Sequence, residues 1–441
     1  MRTERIAAVL LAALACGVAS SAAAPAAAAA VAPAVAPADA PADAQTLSLD
    51  AAVAQALERA PQLLIARANL EASAAAARQS RWPENPELEV ETENVLGSGP
   101  FSDFDAAETT VTLRQPVTVG GKRSARVAAA RARFEQARAE LELAQRATRR
   151  DVTIGYANAI MAERLAVLAR ARSVDAQALR AASERRLAAG ALSELQYAQA
   201  VLAGAEAAAA LNRAQADAAN ARRALARWLG TSDPDGVSAR FDDSWFDQAT
   251  AGDELSGRAV LDDHPRLRAQ RAALAAAMAQ QRLEERGAIP DPVLSLGARR
   301  FGDAPAGENR ALVLGVSLPL PLWDRNTAER ASARRERVIA ETGLDAAQRE
   351  LADELALARS AHAAATGELR ALNESAAPAA RSAAALTQRG FDAGRLSLAD
   401  RLAADQALQS TEAALQRARF ALHQSRAQLE YLQAAPMAAA P

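Results

Sequence analysis

Pro83-Glu84-Asn85-Pro86-Glu87-Leu88-Glu89-Val90-Glu91-Thr92-Glu93-Asn94-Val95, then a Gly/Ser/Asp-rich loop over 97–105, then Glu108-Thr109-Thr110-Val111-Thr112-Leu113-Arg114-Gln115: this stretch decides the fold. Side chains in a strand alternate between faces. Leu88 and Val90 therefore point away from Glu89, Glu91 and Glu93, and Val111 and Leu113 away from Thr110, Thr112 and Arg114. The pattern is a β-hairpin with one apolar and one charged face, closed by Pro116 and the run Gly120-Gly121-Lys122-Arg123. A lone hairpin is not stable in water. Something must cover its apolar face.

The rest of the chain reads as helix. Aromatic residues make up only 3% of the 441 positions, so large anchors for compact cores are scarce. Alanine dominates instead, which suits long helices packed closely side by side. The net charge is −2, with Lys and Arg interspersed among Asp and Glu, so nothing points to nucleic acid.

At the N-terminus, Arg2 and Arg5 precede the apolar run Ile6 to Ala15, and small residues follow. This is the pattern of a secretory signal peptide over 1–21, too short to span a bilayer. No later stretch is expected to span one as a helix. The single cysteine, Cys16, ends the apolar run, so no disulfide is expected. Two readings stand: Cys16 is the acylated first residue of a lipoprotein, or cleavage falls further on, near Ala22 to Ala24.

An Ala/Pro-rich tether over 22–46 follows. A helical pattern (Leu49, Val53, Ala56, Leu57, Leu64, Leu70) runs from Leu47 to about Arg81, and the hairpin comes next. A long proline-free helix is expected from about Ser124 to Ala189, with seven-residue spacing in Val127, Phe134, Leu141 and again in Ile154, Met161, Leu168. Gly190 ends it, and Ser193 caps a helix that runs to about Leu229. The pattern then repeats. Ala60-Pro61 returns 204 positions later as His264-Pro265, and Ala189-Gly190-Ala191-Leu192-Ser193 returns at the same offset as Ala393-Gly394-Arg395-Leu396-Ser397. Asn85-Pro86 returns as Asp291-Pro292 and Gln115-Pro116 as Leu318-Pro319. This is internal duplication, with repeats at 47–229 and 255–433, an inter-repeat segment at 230–254 and a tail at 434–441.

The second hairpin alternates Leu294, Leu296, Ala298 with Ser295, Gly297, Arg299, then Leu312, Leu314, Val316, Leu318 with Val313, Gly315, Ser317. Pro378 should kink or interrupt the second long helix. The first long helix would reach roughly 95 Å at ~1.5 Å per residue. Each strand is close to the ~9–11 residues that cross a bilayer when tilted. Four strands cannot close a barrel, and open edges are not tolerated in lipid, so closure needs several copies. The charged face would line a wet lumen. The other reading is a soluble hairpin packed on a partner.

At these residues the chain resembles the TolC-like outer-membrane factors of bacterial tripartite efflux pumps, over essentially all of Leu47 to Leu432. Asn85-Pro86-Glu87-Leu88, Glu108-Thr109, Gln115-Pro116 and Gly120-Gly121-Lys122-Arg123 most resemble the cobalt–zinc–cadmium (CzcC-like) branch. The resemblance implies a mainly α chain with a membrane β-barrel part: a homotrimer with a twelve-stranded barrel in outer-membrane lipid and an α-helical coiled-coil tunnel across the periplasm. It further implies a periplasmic adaptor docked on the tunnel tip and coupled to an inner-membrane, proton-driven RND pump. The family's tip turns match Gly190, Leu192, Ser193 and Gly394, Arg395, Leu396, Ser397. Of the two aspartates that often ring the narrowest point, Asp400 matches the first. The second position is Ala403, with Asp405 or Glu194 left to contribute. Repeated carboxylates in a narrow pore favour cations.

No nucleophile–base pair and no phosphate-binding glycine loop stand out, so catalysis and cofactors are not expected. His264, His362 and His423 are far apart in sequence, and no metal-ligand cluster is recognisable. The expected function is a passive exit duct for divalent metal cations. Drugs or other small molecules are the alternative cargo, and a periplasmic coiled-coil adaptor is the alternative class.

Overall fold

The structure, a computed structural model, describes residues 46–102, 104, 106–231, 237, 239–248, 263–301 and 310–433. The expected leader, Cys16, the tether up to residue 45, the loop 302–309 and the tail 434–441 lie outside these residues.

The expected single helix from Leu47 to Arg81 is two helices and a strand. Thr46–Leu47 is strand β1, and helices α1 (Leu49–Arg59) and α2 (Pro61–Gln79) follow. Pro61 makes the break: its ring pushes Ala60 out of the helical region, to ψ 126°. Ser48 caps α1 by accepting from the Ala51 N–H at 3.2 Å.

Both hairpins form where the alternation places them. Strands β2 (Glu87–Glu93) and β3 (Glu108–Pro116) pair with Leu88 opposite Leu113 and Val90 opposite Val111. Past an inter-repeat strand β4 (Arg240–Phe241), strands β5 (Val293–Phe301) and β6 (Arg310–Ser317) pair with Leu294 opposite Val316. Antiparallel pairing of β3 with β5 joins them into one sheet, ordered β2-β3-β5-β6. Its apolar face is bare, with Leu88 70% and Leu314 73% exposed. Strands β2 and β6 are its unpaired edges.

Helix α3 (Lys122–Ala188) has 67 residues, about 100 Å at ~1.5 Å each. Helix α4 (Glu194–Trp228) returns alongside it. After the short α5 (Asp243–Asp247), the second half supplies α6 (Pro265–Gly287) and α7 (Thr327–Ala371). A π-turn over Leu372–Ala376 then leads into α8 (Ala377–Asp392) and α9 (Leu398–Leu432). The π-turn is the interruption expected at Pro378: proline cannot donate to the carbonyl four residues back, and the helix widens just before it. Near the sheet, α2, α3, α6 and α7 pack in that order; at the far end the order is α4, α3, α9, then α7 with α8. One layer of helices thus continues one layer of strands.

The sevenfold sets on α3 are only half-buried. The positions sealed from solvent are Val152, Tyr156, Ala159 and Ile160 with mostly small neighbours, because a helix in a single layer buries its two flanks, not one wide stripe. One 18-residue window of α3 reaches a mean hydropathy of 1.2, enough by composition alone for a helical span, contrary to the sequence expectation. That apolarity comes from the aliphatic residues Val152, Ile154, Ile160, Leu165, Val167 and Leu168, on a helix flanked by α2, α4, α6 and α9.

The inter-repeat segment is more than a spacer. β4 pairs in parallel with β1, setting Leu47 opposite Phe241. With α5 it packs on α1, α3 and α4 through Phe241 and Phe246, forming the largest apolar core among the described residues. The Tyr156 hydroxyl donates to the Leu47 carbonyl at 2.6 Å and accepts from the Asp242 N–H at 2.9 Å. Asp247 binds Arg164 through two bonds of 2.6 and 2.8 Å, and Arg419 of α9 at 2.7 Å. The segment is a strap that ties both halves together at mid-height.

Candidate transport surfaces

The charged face of the sheet carries Glu87, Glu89, Glu91 and Glu93 on β2, facing Arg114, Thr112, Thr110 and Glu108 on β3. Arg114 Nε lies 3.0 Å from Glu89. Arg299 of β5 reaches Glu93 at 3.3 Å and Glu108 at 3.0 Å, and donates to the Thr110 hydroxyl at 2.9 Å. Five carboxylates thus share a face with two guanidinium groups. Among the described residues, Glu87 and Glu91 have no ion-pair partner. Small residues complete the face: a Cβ on Gly297 would meet Thr112 Oγ1 at 2.6 Å, and one on Gly315 would meet Ser295 Oγ at 2.5 Å.

A groove of about 990 Å³ runs along the helical layer between α3, α4 and α9. Its charged lining includes Arg172, Asp175, Asp217, Arg401 and Asp405. On α3, Asn158 faces the groove while Tyr156 and Ile160 face the strap's core, and Met161 and Ala162 border both. Asn158 is two residues, about 200° of helix turn, from both Tyr156 and Ile160, so on α3 it points away from the strap's core. Burial pushes the Asp405 carboxyl up, opposed by Arg401 and reinforced by the negative charge of Asp175.

The two expected tip turns lie at one end. Gly190 and Gly394 adopt φ of +71° and +70°, the left-handed conformation that lets a helix reverse. Leu179 and Ala200, flanking the first turn, cluster with Phe391 and Leu398, flanking the second. Ser193 makes a reciprocal cap with Gln196, and Ser397 with Asp400. Glu194 is exposed in the first turn of α4, Leu192 is half-buried, and Arg395 is exposed. Leu396 folds back over Gly390, where a Cβ would stand 2.5 Å from its side chain.

The three expected constriction carboxylates stand in different surroundings within one chain, Glu194 being exposed at the start of α4. Asp400 accepts from the Ser397 N–H at 2.9 Å and hydroxyl at 2.6 Å, and these bonds hold its carboxyl below the usual range. Asp405 is in the groove, beside Arg401 at 3.6 Å.

The three histidines serve the fold. His264 accepts from the Arg266 N–H at 3.1 Å as the cap of α6, so its other nitrogen donates to the Tyr431 carbonyl at 3.1 Å. His423 stacks between Trp245 and Phe246 and bonds the Phe246 carbonyl at 3.1 Å. His362 lies 3.1 Å from the Ser425 hydroxyl. Among the described residues no group of three or more His, Cys, Asp or Glu is poised to hold a metal.

The chain is similar to known proteins over most of its length. It is 32% identical over 291 residues to the cobalt-zinc-cadmium resistance protein CzcC of Cupriavidus metallidurans, covering 66% of each chain. It is 30% identical over 290 residues to the nickel and cobalt resistance protein CnrC of the same organism, covering 64% of this chain and 67% of that one. The alignments thus span about two thirds of those relatives. The fold matches the outer membrane protein VceC of Vibrio cholerae with a TM-score of 0.70 at 21% identity, over 87% of this chain and 95% of that one. The family model described as outer membrane efflux protein matches residues 52–231 and 257–434, one match to each half of the duplication. With both halves matched and the four-strand, long-helix layer in place, the chain belongs to the outer membrane efflux protein family.

Proposed function

We propose that three copies of this outer-membrane efflux channel close into a duct that carries divalent metal cations across the periplasm and outer membrane. The observation that carries this reading is the four-stranded sheet with a bare apolar face and two unpaired edges. Lipid satisfies the face, and a ring of sheets satisfies the edges. Apolar side chains also lie exposed along the outer helices of the layer: Leu64 and Ile65 on α2, Ile339 on α7, Leu195 and Leu202 on α4, Leu386 on α8. In a ring these meet the next copy. The groove becomes the tunnel wall, and the five-to-two excess of carboxylates on the sheet makes the exit attractive to cations. The function is passage, not catalysis.

The repeats 47–229 and 255–433 are the two half-units of each subunit, with 230–254 as the strap region between them. Gly190, Leu192, Ser193, Gly394, Arg395, Leu396 and Ser397 form the adaptor-docking tip, below an inner-membrane RND pump reached through the adaptor. Asp405 and Glu194 contribute negative charge to the narrowing, and Asp400 chiefly holds the turn. The metal cargo is supported by the metal-resistance relatives. Deleting the gene and restoring it on a plasmid tests the cargo. Tolerance to cobalt, zinc, cadmium or nickel should fall and recover. Unchanged metal tolerance with lost drug or detergent tolerance would replace metals by small molecules.

A further inference from the structure

The duplication supplies a template for the contact between copies. Leu294 lies 206 positions after Leu88 and Val316 lies 203 after Leu113, and the pair Leu88–Leu113 is repeated as Leu294–Val316. Val90–Val111 is repeated at the same offsets as Leu296–Leu314. Within the chain, β3 meets β5 with Gln115 opposite Leu294 and Leu113 opposite Leu296. Moving each side by its own offset gives the register of β6 on the β2 of a neighbour: Leu318 opposite Leu88, and Val316 opposite Val90.

Beside the strands, the contact between halves continues through an elbow. The Val117 N–H donates to the Pro292 carbonyl at 2.9 Å. The Val119 N–H and Lys122 Nζ reach the two oxygens of Asp291 at 2.9 and 2.7 Å. Gly120 presses on Ile289, where a Cβ would stand 2.6 Å from Cδ1. The same offsets map Ile289 to Pro83, Asp291 to Asn85, Val119 to Leu322, Gly120 to Trp323 and Lys122 to Arg325. These counterparts sit at the two open edges of the layer and are bare. Trp323 is 91% exposed and Trp82, next to Pro83, 67%.

We propose that the Leu320 to Arg325 segment of one copy clasps the Trp82 to Pro86 elbow of the next copy, with Trp323 seated on Trp82 and Pro83. Asn85 then stands opposite Leu322 and Arg325, as Asp291 stands opposite Val119 and Lys122. The link from the Pro319 position to α7 is two residues longer than that from Pro116 to α3, which leaves room for an indole where the other half has Gly120. Indoles also favour the membrane–water boundary as lipid anchors. The placement argues for a second copy instead. The counterparts of Trp82 and Trp323 inside the chain are Ala288 and Gly120, at the same depth of the same ring. Lipid anchoring gives no reason to confine tryptophan to the edges.

This inference rests on the ring reading, and two cysteine pairs separate their failures. In full-length chain in outer-membrane vesicles, Val90→Cys with Val316→Cys reports the ring, because opposed residues on paired strands are close enough for a disulfide. Pro83→Cys with Trp323→Cys, joined by a short bifunctional maleimide, reports the clasp. Single-cysteine chains and the unsubstituted chain control for Cys16. Both pairs should yield covalent species of two and three chains, and Trp323→Ala should lower the temperature at which the detergent-extracted assembly dissociates. A strand pair that links while the elbow pair does not, or an unchanged dissociation temperature, overturns the clasp and leaves the ring. If neither pair links, ring and clasp fall together.

Discussion

Tyr156→Phe isolates the hydrogen bonds that hold the strap. The aromatic ring stays, keeping its edge-on packing against Phe241 at 5.3 Å and Trp245 at 5.6 Å. Only the hydroxyl between the Leu47 carbonyl and the Asp242 N–H is lost. Those two groups keep one longer bond to each other, at 3.2 Å, so neither is fully orphaned. Removing one partner from buried polar groups costs about 1–3 kcal/mol, and the surviving bond puts this case at about 1–2 kcal/mol. That corresponds to a factor of about 5–30 in the local opening equilibrium. Amide hydrogen exchange over 239–248, followed by mass spectrometry on the detergent-extracted protein, should accelerate by this factor, while exchange at the Gly190 and Gly394 turns should not change. Burial also pushes the Tyr156 hydroxyl up to about 12, from an ordinary value of 10.0. The folded state therefore favours the proton, so the stabilisation is complete below pH 10 and fades as pH rises towards 12. Tyr156→Phe should lack this alkaline loss. Exchange unchanged at neutral pH would refute the strap as a hydrogen-bonded clamp.

Asp247→Asn should weaken the same strap at neutral pH. Hydrogen bonding from Arg164 holds the Asp247 carboxyl below its usual value of 3.8, so its contribution is present above that pH and disappears as pH falls through the lower folded value; thermal melting of wild type and variant should converge in acid. Glu87→Gln with Glu91→Gln removes the two carboxylates of the sheet face without ion-pair partners, and the reversal potential of channels in planar bilayers should shift towards weaker cation preference. Gly394→Ala meets no neighbour within 4 Å, so its cost is backbone strain alone at φ +70°, about 1–2 kcal/mol. Exchange should rise at that turn but not at the strap.

Much of this architecture is legible because the duplication writes each element twice. Strand alternation gave both hairpins and their faces, and glycine with a following serine gave both turns and caps. The strap was not legible. Phe241, Trp245 and Phe246 crowd one short segment of an aromatic-poor chain, a signal that could have marked a core, but their partners Tyr156 and His423 are remote in sequence. Pro61 was visible, yet the apolar period continues across it and hides the break between α1 and α2. Asp400 shows the limit of matching a position to a family. Its place three residues after Ser397 fits a pore aspartate and a capping carboxylate equally, and only the bonds to Ser397 reveal the second role.

The central claim is that the sheet edges close between copies in the outer membrane. Separating inner from outer membranes of cells that make the chain, then weighing the detergent-extracted protein by native mass spectrometry, tests it most directly. The account predicts outer-membrane protein with the mass of three chains. A single chain, or protein recovered in the soluble periplasmic fraction, would contradict it.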